Sequence, residues 1–137
     1  MTIELIELWH KRATEQRTPS LGLVLGIHLE EVAELAQGVG EHAALAEVES
    51  LATNLKTGFI GAECIDRVAL LDSLCDQIFT AVGVGVACGF DMHGAMAEVI
   101  RSNWSKADPA TGRFKFDQNG KIAKDVGYSG PELAQFV

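Results

Sequence analysis

Three carboxylates stand close together in Glu30-Glu31-Val32-Ala33-Glu34. At about 100° per residue of helix, Glu30 and Glu34 lie one turn apart, and Glu31 lies three residues from Glu34. All three therefore share an arc of roughly 100° on one face. Solvated like charges at that spacing repel by about 0.2–0.5 kcal/mol per pair. A second acidic pair, Asp72 and Asp76, is spaced by one turn within an apolar stretch. Two helices that each carry acid on an apolar face point to a shared cation. Mg²⁺ takes hard oxygen ligands and turns the repulsion into attraction; Mn²⁺ accepts the same donors. Without a cation, the same pattern is a solvated acidic face. With one, it suits phosphate chemistry: cations clamp a polyphosphate and acidify a bound water. A carboxylate left off the metal then serves as general base.

Other metal sites fit less well. A di-iron carboxylate bundle takes Glu-x-x-His from two of its helices. Here Glu34 stands three residues after Glu31, and His28-x-x-Glu31 has the reverse order. His10, His28, His42 and His93 share no metal spacing, and no C-x-x-C occurs. Cys75 has no basic neighbour in sequence to activate it and reads as a core residue. Gly83–Gly85 is followed by no Lys-Ser/Thr pair and is not a phosphate loop.

A second chemical stretch is Ser102-Asn103-Trp104-Ser105-Lys106. At a helix end, Asn103 and Lys106 offer a neutral and a cationic donor to phosphate oxygens. As an ordinary helix end, Lys106 would only complement the dipole. Further on, Lys121, Lys124 and Tyr128 offer more donors and an aromatic face, or else form a solvated basic tail.

These residues need elements to hold them. Thr2–Gln16 reads as a first helix, with Ile3, Leu5, Ile6, Leu8 and Trp9 on its apolar stripe. Thr18 is a candidate N-cap, and Pro19 suits the first position of a second helix running from about Ser20 to Gln37. Leu21, Leu25, Leu29, Val32 and Ala36 would line its core face. Gly22 and Gly26, one turn apart, would admit a close neighbour. Glu41–Asn54 is a weaker third helix. The fourth, about Ala62 to Cys88, is apolar on more than one stripe, so it is central or lies in an interface between chains. Asp91 caps a fifth helix, Met92–Ser105. Arg113–Lys115 and Lys121–Ala123 would pair as a small hairpin around Asp117–Gly120. Gly127–Val137 reads as an irregular tail.

The 137 residues make one domain by length, 1–137, and 47% hydrophobic content supports a real core. The net charge of −8, without a basic cluster, argues against a nucleic-acid polymer as partner. It leaves a nucleotide substrate open. Cys64, Cys75 and Cys88 are odd in number and read as buried thiols in a reducing compartment. Met1-Thr2-Ile3-Glu4 has no basic region leading into an apolar core, and the apolar run Ile78–Phe90 is too short to span a membrane. A soluble cytoplasmic protein with no membrane contact is expected.

The order Glu30-Glu31-x-x-Glu34, then Asp72-Ser-Leu-Cys-Asp76, then Ser102-Asn103-Trp-Ser-Lys106, resembles the all-α NTP pyrophosphohydrolases of the MazG-like superfamily. The likeness is nearer to the phosphoribosyl-ATP-pyrophosphohydrolase-like branch. It extends to Trp9-His10, Thr18-Pro19, Gly120-Lys121-x-x-Lys124, Tyr128 and Pro131, and so covers nearly the whole chain. One position departs: the superfamily usually has Glu-x-x-Asp in its second acidic motif, whereas Ser73 stands three before Asp76 and the acid is Asp72.

The resemblance implies a four-helix-bundle-type all-α domain completed by a second chain, as a homodimer or homotetramer. It implies Mg²⁺-dependent hydrolysis of a nucleoside triphosphate between its α and β phosphates, giving a monophosphate and pyrophosphate. Glu31, Glu34, Asp72 and Asp76 would hold metal. Glu30 and Glu31 would be catalytic, and Glu30 is either a ligand or the base that orients water. Asn103, Lys106, Lys121 and Tyr128 would hold substrate. The competing readings are a phosphoribosyl-ATP pyrophosphohydrolase and a nucleotide-sensing module without turnover.

Overall fold

The computed structural model describes residues 2–41 and 43–137, the side chain of residue 44 excepted. The described chain is all-α: α1 (Thr2–Gln16), α2 (Leu21–Gly38), α3 (Ala43–Thr57), α4 (Arg67–Ala87) and α5 (Met92–Trp104), then a short 3-10 helix (Ala134–Phe136). Backbone contacts divide it into two compact units. One unit comprises residues 17–63 and 116–121, holding α2 and α3. The other comprises residues 1–16, 64–115 and 122–137, holding α1, α4 and α5.

In the α2–α3 unit the helices run antiparallel and close. Ser20, not Thr18, caps α2: its hydroxyl accepts from the Leu23 N–H at 3.1 Å. A Cβ on Gly22 would stand 2.9 Å from the Leu55 carbonyl oxygen. One on Gly26 would meet the Ala52 carbonyl oxygen at 2.6 Å and the Lys56 Cγ at 2.5 Å. Only glycine lets the α3 backbone come so near. This corrects the expected core face. Leu23, Gly26 and Ala33 are buried on α2, with Ala52 opposite, while Leu21, Leu25, Leu29 and Ala36 are half-buried and Val32 is exposed. The small side chains set where α3 sits, and the leucines fill in around it. The start expected for α3 at Glu41 includes His42, which lies outside the described residues. Phe116–Lys121 forms a turn in the same unit. The Asp117 carboxylate accepts from the N–H groups of Asn119 and Lys121, and Gly120 takes a positive φ of 85° with the Arg17 guanidinium packed against it.

In the other unit, α1 lies on α5. The Trp9 indole N–H donates to the Asn103 carbonyl at 2.9 Å, and the Arg12 guanidinium lies over Trp104. Phe114 is buried edge-on to Trp9, and its N–H donates to the Gln16 side chain. Asp66 caps α4 later than the expected start near Ala62. Asp91 caps α5, as its sequence indicates, by accepting from the Gly94 N–H. Gly83, at α4's far end, meets nothing, whereas Gly85 is covered by Met92.

The tail is irregular but held along α5. Glu98 accepts from the Glu132 N–H, Arg101 donates to the Gly130 carbonyl, and the Phe136 carbonyl accepts from the Asp91 N–H. The Arg101 guanidinium, with the Glu132 N–H, holds Glu98 down at about 2. The expected hairpin forms no strands among the described residues, though the Ala123 N–H still donates to the Lys115 carbonyl.

Of the two places expected for α4, a central position within the chain is not met: Val68, Leu71, Ile78, Phe79 and Val86 are more than half exposed. The three cysteines, expected to be buried, are exposed and free, Cys75 among them. By length and composition alone, α4 is sufficient to cross a membrane, which the shorter run Ile78–Phe90 did not suggest. Asp72 and Asp76 lie inside it, and a carboxylate at a bilayer centre costs about 2.5–3.5 kcal/mol on insertion scales.

The α2–α3 packing yields a test. Gly26→Ala gains about 1 kcal/mol of helix propensity but forces a methyl group into the Ala52 carbonyl, and overpacking costs about 1–3 kcal/mol. The variant should therefore be no more stable than wild type, and Gly26→Leu clearly less. Urea titration followed by circular dichroism measures both.

Candidate functional site

The acidic face of α2 forms as its spacing requires, but its three members meet different fates. Glu30 sits where the stem of Lys56 crosses Gly26. The Lys56 ammonium donates to Glu30 Oε1, and the Lys121 ammonium donates to Oε2 at 3.1 Å. Glu30 and Lys56 are each less than a third exposed, and Lys121 about half. Burial by itself would raise the Glu30 pKa. The hydrogen bonds and charges of Lys56 and Lys121 outweigh it and hold the carboxyl below its ordinary value. Glu31 and Glu34 are exposed and make no hydrogen bond or ion pair among the described residues.

Two lysines on one carboxylate are a poor device for stability. A solvated pair is worth about 0–1 kcal/mol, whereas fixing a lysine side chain costs up to about 1.5–2 kcal/mol of rotamer entropy. Sequence reasoning missed Lys56. It sits in the last turn of α3, where a lysine ordinarily answers the helix dipole. Its link to a residue 26 positions away exists only through the α2–α3 register.

Asp72 and Asp76 lie on α4 in the other unit, exposed, and their carboxylates make no hydrogen bond or ion pair among the described residues. Among those residues, no three His, Cys, Asp or Glu side chains are drawn together as a metal set. The donors suit a hard cation in type: accessible carboxylate oxygens, turn-spaced on each helix. Within either unit they form an open edge, not a closed cage.

Asn103 and Lys106 do come together. The Lys106 ammonium donates to Asn103 Oδ1 at 2.8 Å and lies 5.9 Å from the centre of the Trp9 ring. The Asn103 amide donates to the Val99 carbonyl. The pair thus closes the end of α5 beside Trp9. Tyr128 is half-buried and carries the Lys124 ammonium over its ring at 4.9 Å. Trp9 stacks edge-on with His10, whose imidazole is held below its ordinary value by burial. In comparisons with known proteins, no family model, no curated protein and no solved structure matches this chain.

The lowered Glu30 pKa fixes the sign of a pH effect. A depressed carboxylate contributes stability that is fully present above its unfolded value of about 4.5 and is lost as pH falls through the lower folded value. Wild type should therefore melt no more than about 2–5 °C above Glu30→Gln at pH 7. The gap should close below the ordinary carboxylate range. Paired thermal melts across pH read it directly.

Proposed function

We propose that this chain is a Mg²⁺-dependent nucleoside triphosphate pyrophosphohydrolase of MazG-like type. It would cleave between the α and β phosphates and release pyrophosphate. The observation that carries this reading is which carboxylates are available. Glu31, Glu34, Asp72 and Asp76 remain exposed and unpaired among the described residues, while Glu30 is neutralised by lysine. Acids kept in water at turn spacing, with no protein cation to answer them, are what a hard divalent ion binds.

Glu31, Glu34 and Asp76 are the proposed ligands, with Asp72 as a shorter-reaching fourth. When bound, Mg²⁺ or Mn²⁺ would neutralise polyphosphate charge and acidify a water. Glu30, once its lysines are drawn away, would be the carboxylate free to orient a water or hold its proton. The Asn103 amide and Lys106 ammonium would turn from each other to phosphate oxygens, and Tyr128 would offer its ring to the base.

The bundle implied by the resemblance would be completed by a second copy, as a homodimer or homotetramer. The support is the unburied side of α4, since apolar patches beyond a few hundred Å² generally mark association. The chain's own core is thin. Among the described residues the buried apolar ones are Ala13, Leu23, Ala33, Ala52 and Phe114, and no large side chain is fully enclosed. A cytoplasmic location agrees with three unpaired cysteines. One observation favours the sensing module instead: among the described residues, the carboxylates are not gathered into a set of three.

Two measurements test this reading. Pyrophosphate release should occur from at least one member of a panel of nucleoside triphosphates and phosphoribosyl-ATP, only with Mg²⁺ or Mn²⁺. Glu34→Gln and Asp76→Asn should abolish it with helical content unchanged. Full turnover in excess chelator, or an active Asp76→Asn protein, rejects the assignment. Release confined to phosphoribosyl-ATP would select that substrate, and binding without release would select the sensor. Second, sedimentation at micromolar concentration should show a species heavier than the 14.7 kDa chain. A folded, active monomer rejects completion by a second copy.

A further inference from the structure

The Lys56–Glu30–Lys121 cluster has a shape that stability does not account for. Each Glu30 oxygen is taken by a different ammonium, Oε1 by Lys56 and Oε2 by Lys121. A carboxylate clasped along its O–C–O edge presents the same two-oxygen pattern as the O–P–O edge of a phosphate.

The charge distribution is equally selective. The whole chain carries −8, yet the lysines and arginines of the α2–α3 unit are Arg17, Lys56 and Lys121. Lys56 and Lys121 converge on Glu30. Arg17 packs against Gly120, the residue before Lys121, and lies over Phe116. The unit's basic side chains are thus gathered on Glu30 and its adjoining turn, while Glu31 and Glu34 on the same helix face receive none of them. Lys56 is held in place by its stem lying across Gly26, and Lys121 by the Asp117-capped turn.

We propose that Lys56 and Lys121 form a polyphosphate grip, and that Glu30 is an internal anion keeping the two ammoniums poised until a phosphate oxygen displaces it. The proposal rests on the nucleotide reading for the identity of the anion. It adds a binding residue, Lys56, that the sequence motifs do not contain, and a competition at the site that those motifs do not describe. A polyphosphate carries more charge and more oxygens than one carboxylate, so it can exchange with Glu30 oxygen for oxygen. No bond is made or broken in that exchange.

The competition makes an unusual demand on Glu30. If Glu30 stood outside the grip, removing its charge would relieve only a screened repulsion and strengthen anion binding less than tenfold. If it occupies the grip, removing its charge must strengthen binding by tenfold or more. Inorganic tripolyphosphate, titrated calorimetrically into the full chain in metal-free buffer, separates these cases. Glu30→Gln should bind at least tenfold more tightly than wild type. Lys121→Met and Lys56→Met should each bind at least tenfold more weakly than Glu30→Gln when combined with it, with helical content checked by circular dichroism. Should Lys56→Met fail to fold, Lys56→Arg keeps the charge and Lys121→Met, on the turn, carries the test.

A gain of less than tenfold in Glu30→Gln overturns the proposal, as does binding that survives loss of Lys121. Absence of tripolyphosphate binding in every variant overturns it too. Pyrophosphate release is scored separately. Lysine-dependent binding without release keeps the grip and rejects the hydrolase. Release from a protein whose tripolyphosphate binding ignores both lysines rejects the grip and keeps the hydrolase.

Discussion

The close approach of α2 and α3 over Gly22 and Gly26 is the constraint on which the best-defined chemistry of this chain depends. Two helix backbones come near enough that a single added methyl group would meet a carbonyl oxygen at 2.6 Å. That proximity brings the Lys56 stem across Gly26 and delivers its ammonium to Glu30, one turn further along α2. A larger residue at Gly26 would displace α3 and withdraw the lysine with it. Packing and electrostatics are coupled here by a few ångströms of backbone separation.

The acidic face of α2 shows how a fold can treat like residues unequally. Glu30, Glu31 and Glu34 share a helix face and repel one another, yet among the described residues only Glu30 is met by cations. The neutralisation is local and leaves two adjacent carboxylates in water. In the proposed function that division separates a phosphate-facing residue from metal-facing ones. In the bare fold it relieves repulsion at the most crowded member of the set. Asp72 and Asp76 repeat the pattern on α4, exposed and unpaired among the described residues, where the surrounding side chains are apolar.

Helix α4 poses the complementary problem. Its apolar side chains lie largely in water, and the contacts it makes at its far end run through the seating of Met92 on Gly85. A helix apolar on more than one face gains nothing from solvent on all of them. Among the described residues the buried positions are alanines, glycines, one leucine, one phenylalanine and Ser102, too little to absorb that surface. Association through α4 is the proposed resolution, and it would be driven by the same burial that the isolated chain forgoes.

Local sequence determined the helices. The span of α1 and the Asp91 cap of α5 follow from periodicity and capping chemistry, which act within a few residues. The shared face of Glu30, Glu31 and Glu34 follows from helical spacing alone. The irregular tail was legible from its turn residues, though not its attachment to α5 through Glu98 and Arg101. Tertiary structure decided which face of α2 is buried, because glycine and alanine admit a neighbouring backbone where the leucine stripe does not. It decided the exposure of the cysteines, because that depends on what packs against α4. It paired Lys56 and Lys121 with Glu30, whereas the Lys106–Asn103 contact, three residues apart, is local. The two Glu30 contacts span 26 and 91 positions, and no local rule of spacing reaches across such a distance; only the register of packed elements sets it.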